Sequence, residues 1–369
     1  MLALSVFPHA RTWRRLMLAM LLAIATASAG AREIVDMVGR KVVVPDRITR
    51  ALSAAPPIAV LQYALARDTM VGLNLGFQPA DLPYIDPRVA ALPVIGSAFS
   101  AGRMINPETA MSLKPDIILA WQNPTVDRAR IEENFAKTGI PVVFIKLDDL
   151  RDWPAGLEFV GTLLGREARA KLLADDLRAS LAKVDQALGA MPDAERVRVY
   201  YAESPDGLAT DCHHSFHTEA IELARGYNVY RCEQREHTGM ERVSLEQVIA
   251  FDPQVILVQD PAFLPVVRND ARWKNLSAVR NGRIVAIPRS PFNWIDRPPS
   301  LMRALGMQWL ANQLYPARYP LHLRMEVRRF YKLYLDLDLS DADLARLLDS
   351  NTPPASEGNA HVHHHAAAS

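Results

Sequence analysis

The sequence offers little that would point to a membrane protein, a nucleic-acid-binding protein or a common hydrolase. Its 42 Lys and Arg residues nearly balance its 41 Asp and Glu residues, and the formal charge of +1 gives no electrostatic argument for nucleic acid or a membrane surface. After the amino-terminal segment, no apolar run approaches the ~20 residues that a membrane-spanning helix needs. The H-E-x-x-H and G-x-S-x-G patterns and the phosphate loop are absent. Partners must therefore be inferred from local motifs.

The start of the chain has the pattern of a secretory signal peptide. Arg11, Arg14 and Arg15 precede the apolar stretch 16–27, which is too short to span a bilayer and ends in small residues that suit cleavage. We expect residues 1–31 to be removed and the mature chain to be a soluble protein of the bacterial periplasm. No cysteine lies directly after the apolar stretch, so we expect no lipid anchor.

Cysteine is scarce, since Cys212 and Cys232 are the only two. In an oxidising compartment, a pair separated by about twenty residues is typically a disulfide. The alternative is that Cys212 stays a thiolate and binds a metal beside the neighbouring histidines.

What the sequence does contain is a proline-punctuated pattern that occurs twice. Residues 106–120 read NPETAMSLKPDIILA, and residues 244–258 read SLEQVIAFDPQVILV. Each copy predicts a short helix with an early Glu, a Pro that ends it, and a strand buried on both faces of a parallel sheet. Two such units within about 330 mature residues predict two similar α/β lobes.

The rest of the chain fits this organisation. Apolar runs predict strands at 51–54, 70–73, 117–120, 142–145, 197–202, 255–258 and 284–287. Between residues 154 and 191, Leu and Val recur at three- and four-residue intervals, which predicts one long amphipathic helix with a single weak point at Gly165. We therefore assign a first lobe to 32–153, an interdomain helix to 154–192, a second lobe with terminal helices to 193–350, and a disordered His-rich tail to 351–369.

Three of these features resemble one known family. Residues 112–121 (SLKPDIILAW), the bridging helix, and residues 291–300 (PFNWIDRPPS) are similar to the class III (cluster A) periplasmic binding proteins of ABC importers. That family delivers vitamin B12, ferric siderophores, haem or other metal chelates. The resemblance covers roughly residues 33–335.

The resemblance implies an α/β fold of two Rossmann-like lobes, with mostly parallel central sheets joined by one long rigid α-helix. It implies a monomer that holds a metal ion or metal chelate between the lobes, as cargo rather than as a catalytic cofactor. The partner would be an ABC permease dimer in the inner membrane. The family presents one acidic residue from each lobe to the permease, and Glu108 and Glu246 match those positions. The alternative is that both are ordinary solvated charges near helix N-termini.

A histidine cluster follows the first strand of the second lobe. His213, His214 and His217 come directly after Cys212, and neutral imidazole is a common ligand of late first-row divalent metals. His213 and His217 would share a helix face if the next helix begins early enough. We expect the three to bind the metal, with surface or capping histidines as the alternative.

Residues after other strands are expected to form the remaining walls of the cleft. Trp121 and Gln122 follow a first-lobe strand, whereas Arg289, Phe292, Trp294 and Arg297 follow the last strand of the second lobe. Aromatic rings would cover a chelate, and arginines would pair with its carboxylates. For Trp294, core packing is an equal alternative.

The sequence thus favours a non-enzymatic periplasmic receptor for a nickel or iron complex. Haem, cobalamin and a molybdate-like oxyanion remain alternatives on the same fold. The alternative of another class is a zinc-dependent hydrolase that uses His213 and His217, with Glu219 or Glu222 as the base.

Overall fold

The computed structural model describes residues 30–98, 105–122, 127–233 and 239–348. Most of the predicted signal peptide (1–29) and the predicted tail (351–369) lie outside these residues. Among the described residues, no helix combines the length and the apolar character needed to cross a bilayer.

The first lobe is built on a parallel sheet of three strands in the order β3-β4-β5, beside an antiparallel β1-β2 hairpin. Its strands are β1 (Ala31–Val35), β2 (Lys41–Pro45), β3 (Ala51–Ser53), β4 (Ile117–Gln122) and β5 (Val142–Lys146). Its helices are α1 (Pro56–Ala66), α2 (Pro87–Ala90), α3 (Pro107–Ser112) and α4 (Arg128–Ala136). The strand predicted at 70–73 is reduced to isolated bridges, Ala51 with Met70 and Leu73 with Val94.

The lobes are connected by two helices, α5 (Trp153–Leu164) and α6 (Glu167–Leu188). The chain reverses between them at Gly165, which has a left-handed φ of +66°. The side chains of Glu158 and Arg178 pair across the hairpin at 2.7 Å, so α5 packs antiparallel to α6. The predicted interdomain helix 154–192 is thus two helices, and α6 alone forms the long connection, about 33 Å at 1.5 Å per residue.

The second lobe has a four-stranded parallel sheet in the order β11-β10-β6-β8 and a short antiparallel β7-β9 pair. Its strands are β6 (Arg198–Ala202), β7 (Ala209–Thr210), β8 (Tyr227–Asn228), β9 (Glu241–Arg242), β10 (Val255–Val258) and β11 (Ile284–Ala286). Its helices are α7 (Glu219–Leu223), α8 (Leu245–Phe251), α9 (Phe263–Asn269), α10 (Ser277–Arg280) and α11 (Arg303–Leu314). The predicted α/β class, with two lobes and parallel sheets, is confirmed.

The terminal helices return to the first lobe. They are α12 (Leu323–Phe330), continued by a π-helical turn at Tyr331–Leu335, and α13 (Asp341–Leu348). The Arg67 guanidinium of the first lobe donates to the Leu335 carbonyl at 2.9 Å, and the Tyr334 hydroxyl donates to the Leu173 carbonyl of α6 at 3.0 Å. The end of the chain therefore ties α6 to the first lobe rather than belonging to the second lobe alone.

One continuous apolar core joins both sheets. Strand residues alternate between two faces, so Tyr201 contributes to this shared core and Tyr200 packs in a separate cluster on the outer face of the second sheet. In α6, the buried residues recur at three- and four-residue spacing and belong largely to the shared core. One buried cluster thus contains residues of both inward sheet faces and of α6.

The α5–α6 contact depends on a glycine. A Cβ on Gly161 would lie 2.2 Å from the Cβ of Ala170, so the helices would have to separate to admit it. We expect Gly161→Ala to lower the free energy of unfolding by about 1–3 kcal/mol, because overpacking outweighs the gain in helix propensity. The exposed neighbour Thr162→Ala is the control, and urea unfolding is the measurement. Equal midpoints for the two variants would contradict the close contact.

Candidate functional site

A cavity of about 950 Å³ lies between the lobes. Its walls come from segments that directly follow β3, β10 and β11, beginning at Pro56, Pro261 and Ile287 respectively. The cavity therefore lies at the carboxyl edges of both sheets, where open α/β sheets bind their ligands. Leu347 of α13 closes one side.

Three aromatic rings meet across the cavity. Phe292 of the second lobe packs edge-to-face against Tyr63, with ring centroids 6.0 Å apart, and against Phe77, at 6.1 Å. In an edge-to-face pair, the positive edge of one ring contacts the electron-rich face of the other. The three rings form an apolar wall contributed by both lobes.

The charged groups on the cavity wall are mostly cationic. Arg289, Arg297 and Arg346 line it, and Asp81 is the one carboxylate among the described lining residues, which include no histidine. Burial raises the pKa of Asp81, against the opposing influence of Ser290 and Arg289. Arg346 is paired with Asp343, so Arg289 and the accessible side of Arg297 are the cationic groups that an anion in the cavity could meet.

Arg297 is held from behind by two buried carboxylates. Its Nη2 lies 2.6 Å from Glu203 Oε1 and 3.2 Å from Asp211 Oδ2, while its own side chain remains 25% exposed. Glu203 Oε2 and Asp211 Oδ1 have no hydrogen-bond partner among the described residues. The guanidinium is thus fixed at the edge of the cavity with one side still accessible.

The two carboxylates have raised pKa values. Burial raises the pKa of Glu203 well above its usual range, and the nearby Asp211 adds to this, although Arg297 acts in the opposite direction. Burial likewise raises the pKa of Asp211, against His217 and Arg297. Both shifts favour a protonated carboxyl in this pair, which leaves Arg297 with positive charge to offer to a ligand.

Gly239 packs closely against Asp211 and Arg297. Gly239 has a left-handed φ of +73°, and a Cβ there would lie 2.2 Å from Asp211 Oδ2 and 2.7 Å from Arg297 Nη2. Any larger residue would push into the ion pair, so the backbone closes this side of the cluster.

A second ion cluster lies deeper in the second lobe. Asp296 is fully buried and pairs with His217 Nδ1, with Arg303 Nη2 3.4 Å from its other oxygen. Burial alone would raise the pKa of Asp296, but His217, Arg303 and Arg297 outweigh it and hold the pKa below its usual range. This cluster is internally compensated and fixes the position of residue 297.

The structure corrects the expected metal site at His213, His214 and His217. His217 faces Asp296, whereas the rings of His213 and His214 lie on one another with centroids 3.7 Å apart. In the described part of the chain, no group of three or more His, Cys, Asp or Glu residues is arranged to hold a metal ion. The reason is local: α7 begins only at Glu219, so the histidines lie on turns and not on one helix face.

The expected hydrolase bases are also occupied. Glu219 accepts a hydrogen bond from the Leu150 backbone N–H at 2.5 Å and pairs with Arg303 at 2.5 Å, while Glu222 pairs with Arg196. Both carboxylates are thus already paired with arginines.

The predicted aromatic and arginine ligands divide into two groups. Phe292, Arg289 and Arg297 line the cavity. Trp294 does not, because it is fully buried, donates to the Tyr331 hydroxyl at 3.1 Å and packs edge-to-face on Trp309. Its alternative role, core packing, is the one that the structure shows.

Trp121 and Gln122 are the last two residues of β4. The Trp121 indole packs edge-to-face on Phe216 of the second lobe at 5.8 Å and donates to the Leu147 carbonyl. Gln122 is half-buried, and neither residue lines the cavity.

The remaining predicted residues, two glutamates and two cysteines, do not line the cavity. Glu108 and Glu246 are exposed in the first turns of α3 and α8. Cys212 and Cys232 form a disulfide with an S–S distance of 2.03 Å.

Sequence reasoning missed the carboxylates behind Arg297 and the first-lobe half of the aromatic wall. Glu203 directly follows β6, so its position at a strand's carboxyl edge was a usable signal. Asp211 and Phe77 lie in irregular segments, where no periodicity marks the direction of a side chain.

Comparisons with known proteins agree on one family. Residues 93–291, more than half of the chain, match a family model described as periplasmic binding protein. The molybdate-binding protein MolA of Haemophilus influenzae is 28% identical over 333 residues, which cover 83% of this chain and 91% of that protein.

Solved structures show the same likeness. An ABC transporter solute binding protein from Sulfurospirillum deleyianum is 35% identical with a TM-score of 0.81, over 86% of this chain and 98% of that one. MolA of Haemophilus influenzae bound to molybdate has a TM-score of 0.69 at 26% identity, over 84% of this chain and 99% of that one.

The raised pKa of Glu203 predicts a pH dependence of stability. Above the ordinary Glu pKa of about 4.3, the unfolded chain releases a proton that the folded chain retains, so the free energy of unfolding falls as pH rises. Glu203→Gln removes this proton-binding group, and we expect its unfolding free energy to fall less steeply than that of the unmodified protein between about pH 5 and about pH 8. Urea unfolding at several pH values measures both slopes. Parallel curves would contradict a protonated Glu203.

Proposed function

Because the chain belongs to the periplasmic binding protein family, we propose that it captures an anionic metal species between its lobes and delivers it to the permease of an ABC importer. The chain is a binding protein of such an importer and not an enzyme. What we propose is the kind of cargo, the residues that bind it and the surface that contacts the permease.

The observation that carries the proposal is the excess of arginine on the cavity wall. Arg289, Arg297 and Arg346 line the cavity, and Asp81 is the one carboxylate among its described lining residues. Guanidinium groups bind oxyanions and carboxylates through paired N–H donors, and they are always charged. The raised pKa of Glu203 favours its protonated form near neutral pH, so this carboxyl does not fully neutralise Arg297.

A molybdate-like oxyanion is the first candidate cargo. Such an ion needs cationic and N–H donors and no imidazole ligand, which agrees with a cavity whose described lining contains arginines but no histidine. The name of the Haemophilus influenzae relative, a molybdate-binding protein, supports the same choice.

An anionic metal chelate, such as a nickel or iron complex of a carboxylate chelator, is the second candidate. The wall formed by Tyr63, Phe77 and Phe292 and the volume of about 950 Å³ favour a cargo with apolar surface and more bulk than a bare oxyanion. Free nickel held by His213, His214 and His217 is not proposed, since His217 pairs with Asp296 and the described residues contain no group of three or more arranged to hold a metal ion.

Titration calorimetry with sodium molybdate, sodium sulfate and ferric citrate separates the candidates. Binding of molybdate but not of sulfate would support a molybdate-like cargo. Binding of ferric citrate but of neither oxyanion would support a metal chelate. Elemental analysis and a visible spectrum of untagged protein from its own periplasm identify the natural cargo. A neutral or cationic cargo, cobalamin included, would contradict the proposal.

Arg289 tests the cationic wall without disturbing the buried cluster. Its side chain is exposed, so we expect Arg289→Gln to fold normally and to raise the Kd for the bound anion by about tenfold, since one charged hydrogen bond is lost. Arg324→Gln is the matched control, because Arg324 is half-exposed and lies outside the cavity. Equal affinities in both variants would exclude Arg289 as a ligand.

Glu108 and Glu246 are proposed as the two contacts with the permease. We expect the double variant Glu108→Arg/Glu246→Arg to abolish cargo uptake and stimulation of the transporter's ATPase, because arginine would face the permease's own cations. Cargo affinity should stay unchanged, since neither residue lines the cavity. Glu167→Arg is the control, as Glu167 is likewise exposed in the first turn of a helix. A loss of cargo affinity in the double variant would refute the assignment.

A further inference from the structure

The two sequence repeats fold into surfaces with the same pattern of exposure. From Asn106 to Leu113 and from Ser244 to Phe251, the residues are in turn exposed, half-buried, exposed, exposed, buried, exposed, exposed and half-buried. Both helices have a side-chain cap, Asn106 on the Thr109 N–H and Ser244 on the Gln247 N–H. The match therefore extends from sequence to local structure and to surface.

Each surface carries an exposed large apolar side chain beside its glutamate. Met111 is 48% exposed and Ile249 is 44% exposed. Each lies three residues after Glu108 or Glu246, and residues three apart share a helix face. Of the large apolar side chains exposed in the described part of the chain, these two occupy equivalent repeat positions.

The two surfaces also point the same way relative to the sheets. α3 leads into the start of β4, and α8 leads into the start of β10, so each helix runs back along its sheet. Their N-terminal turns, with the glutamates, therefore lie toward the carboxyl edges of the strands. That is the edge at which the cavity opens.

We propose that Met111 and Ile249 are apolar anchors of two equivalent contacts, each paired with its glutamate, that dock the two copies of a symmetric partner. This inference rests on the proposed delivery to a permease and goes beyond the two carboxylates. Each permease copy would present a basic side chain next to an apolar pocket. A second copy of this chain fits less well, because a twofold interface would bring glutamates toward glutamates.

The test uses the mature chain and its own permease, purified with the ATPase subunits in detergent. The double variant Met111→Ser/Ile249→Ser should bind the permease about tenfold more weakly than the unmodified protein, because central apolar contacts carry much of an interface's affinity. This loss should persist at high salt, whereas the loss caused by Glu108→Arg/Glu246→Arg should shrink as salt screens the charges. Equal urea midpoints confirm that the variants fold.

Leu172→Ser is the matched control, since Leu172 of α6 is 52% exposed and lies outside both repeats. If the glutamate variant loses binding and the Met111/Ile249 variant does not, the apolar anchors are refuted and the docking function stands. If neither variant loses binding, the docking function itself is wrong for this surface. If the Met111/Ile249 variant instead changes self-association in sedimentation velocity, the surface joins copies of this chain and the proposal is overturned.

Discussion

The structure depends on one apolar core to which both lobes and α6 contribute. The inward faces of the two parallel sheets and one stripe of α6 belong to the same buried cluster. Relative movement of the lobes would have to open this cluster, at a cost of about 25 cal/mol per Å² of exposed apolar surface. The cavity is therefore largely formed before a ligand arrives, and lobe closure is limited to a small adjustment.

Ion pairs between the two lobes and α6 reinforce the same restriction. Asp185 of α6 pairs with Arg151 on the side of the first lobe at 3.0 Å and with Arg225 of the second lobe at 2.7 Å. Burial would raise the pKa of Asp185, but the two arginines outweigh it and lower the pKa. Glu219 joins the Leu150 backbone to Arg303 nearby. The partly exposed pairs of Asp185 add little stability, whereas breaking the buried Glu219–Arg303 pair would leave an uncompensated charge, so that pair restricts the relative placement of the lobes.

Features that depend on short-range sequence patterns were predicted correctly, whereas features that depend on contacts between distant residues were missed. Continuous apolar runs such as 117–120 could only be buried strands, and the three- and four-residue spacing after residue 167 could only be a buried helix stripe. The chain reversal at Gly165 was hidden because α5 and α6 have similar periodicity, and the close contact of Gly161 with Ala170 appears only once the helices pack. His217 was assigned to a metal because its partner, Asp296, is 79 residues away.

The repeated βα unit gives the two lobes both of their proposed functions. In each lobe, the carboxyl edge of the sheet supplies cavity residues, and the helix that leads into a central strand returns its N-terminal turn to that same edge. On the proposed function, cargo and partner would therefore meet one face of the molecule, because the antiparallel course of helix and strand puts that turn at the same edge. Since the shared core keeps the lobes together, the spacing between Glu108 and Glu246 is set by the fold and can match a symmetric partner. A more flexible connection would make that spacing variable. The effective concentration of the second contact, once the first has formed, would then be lower.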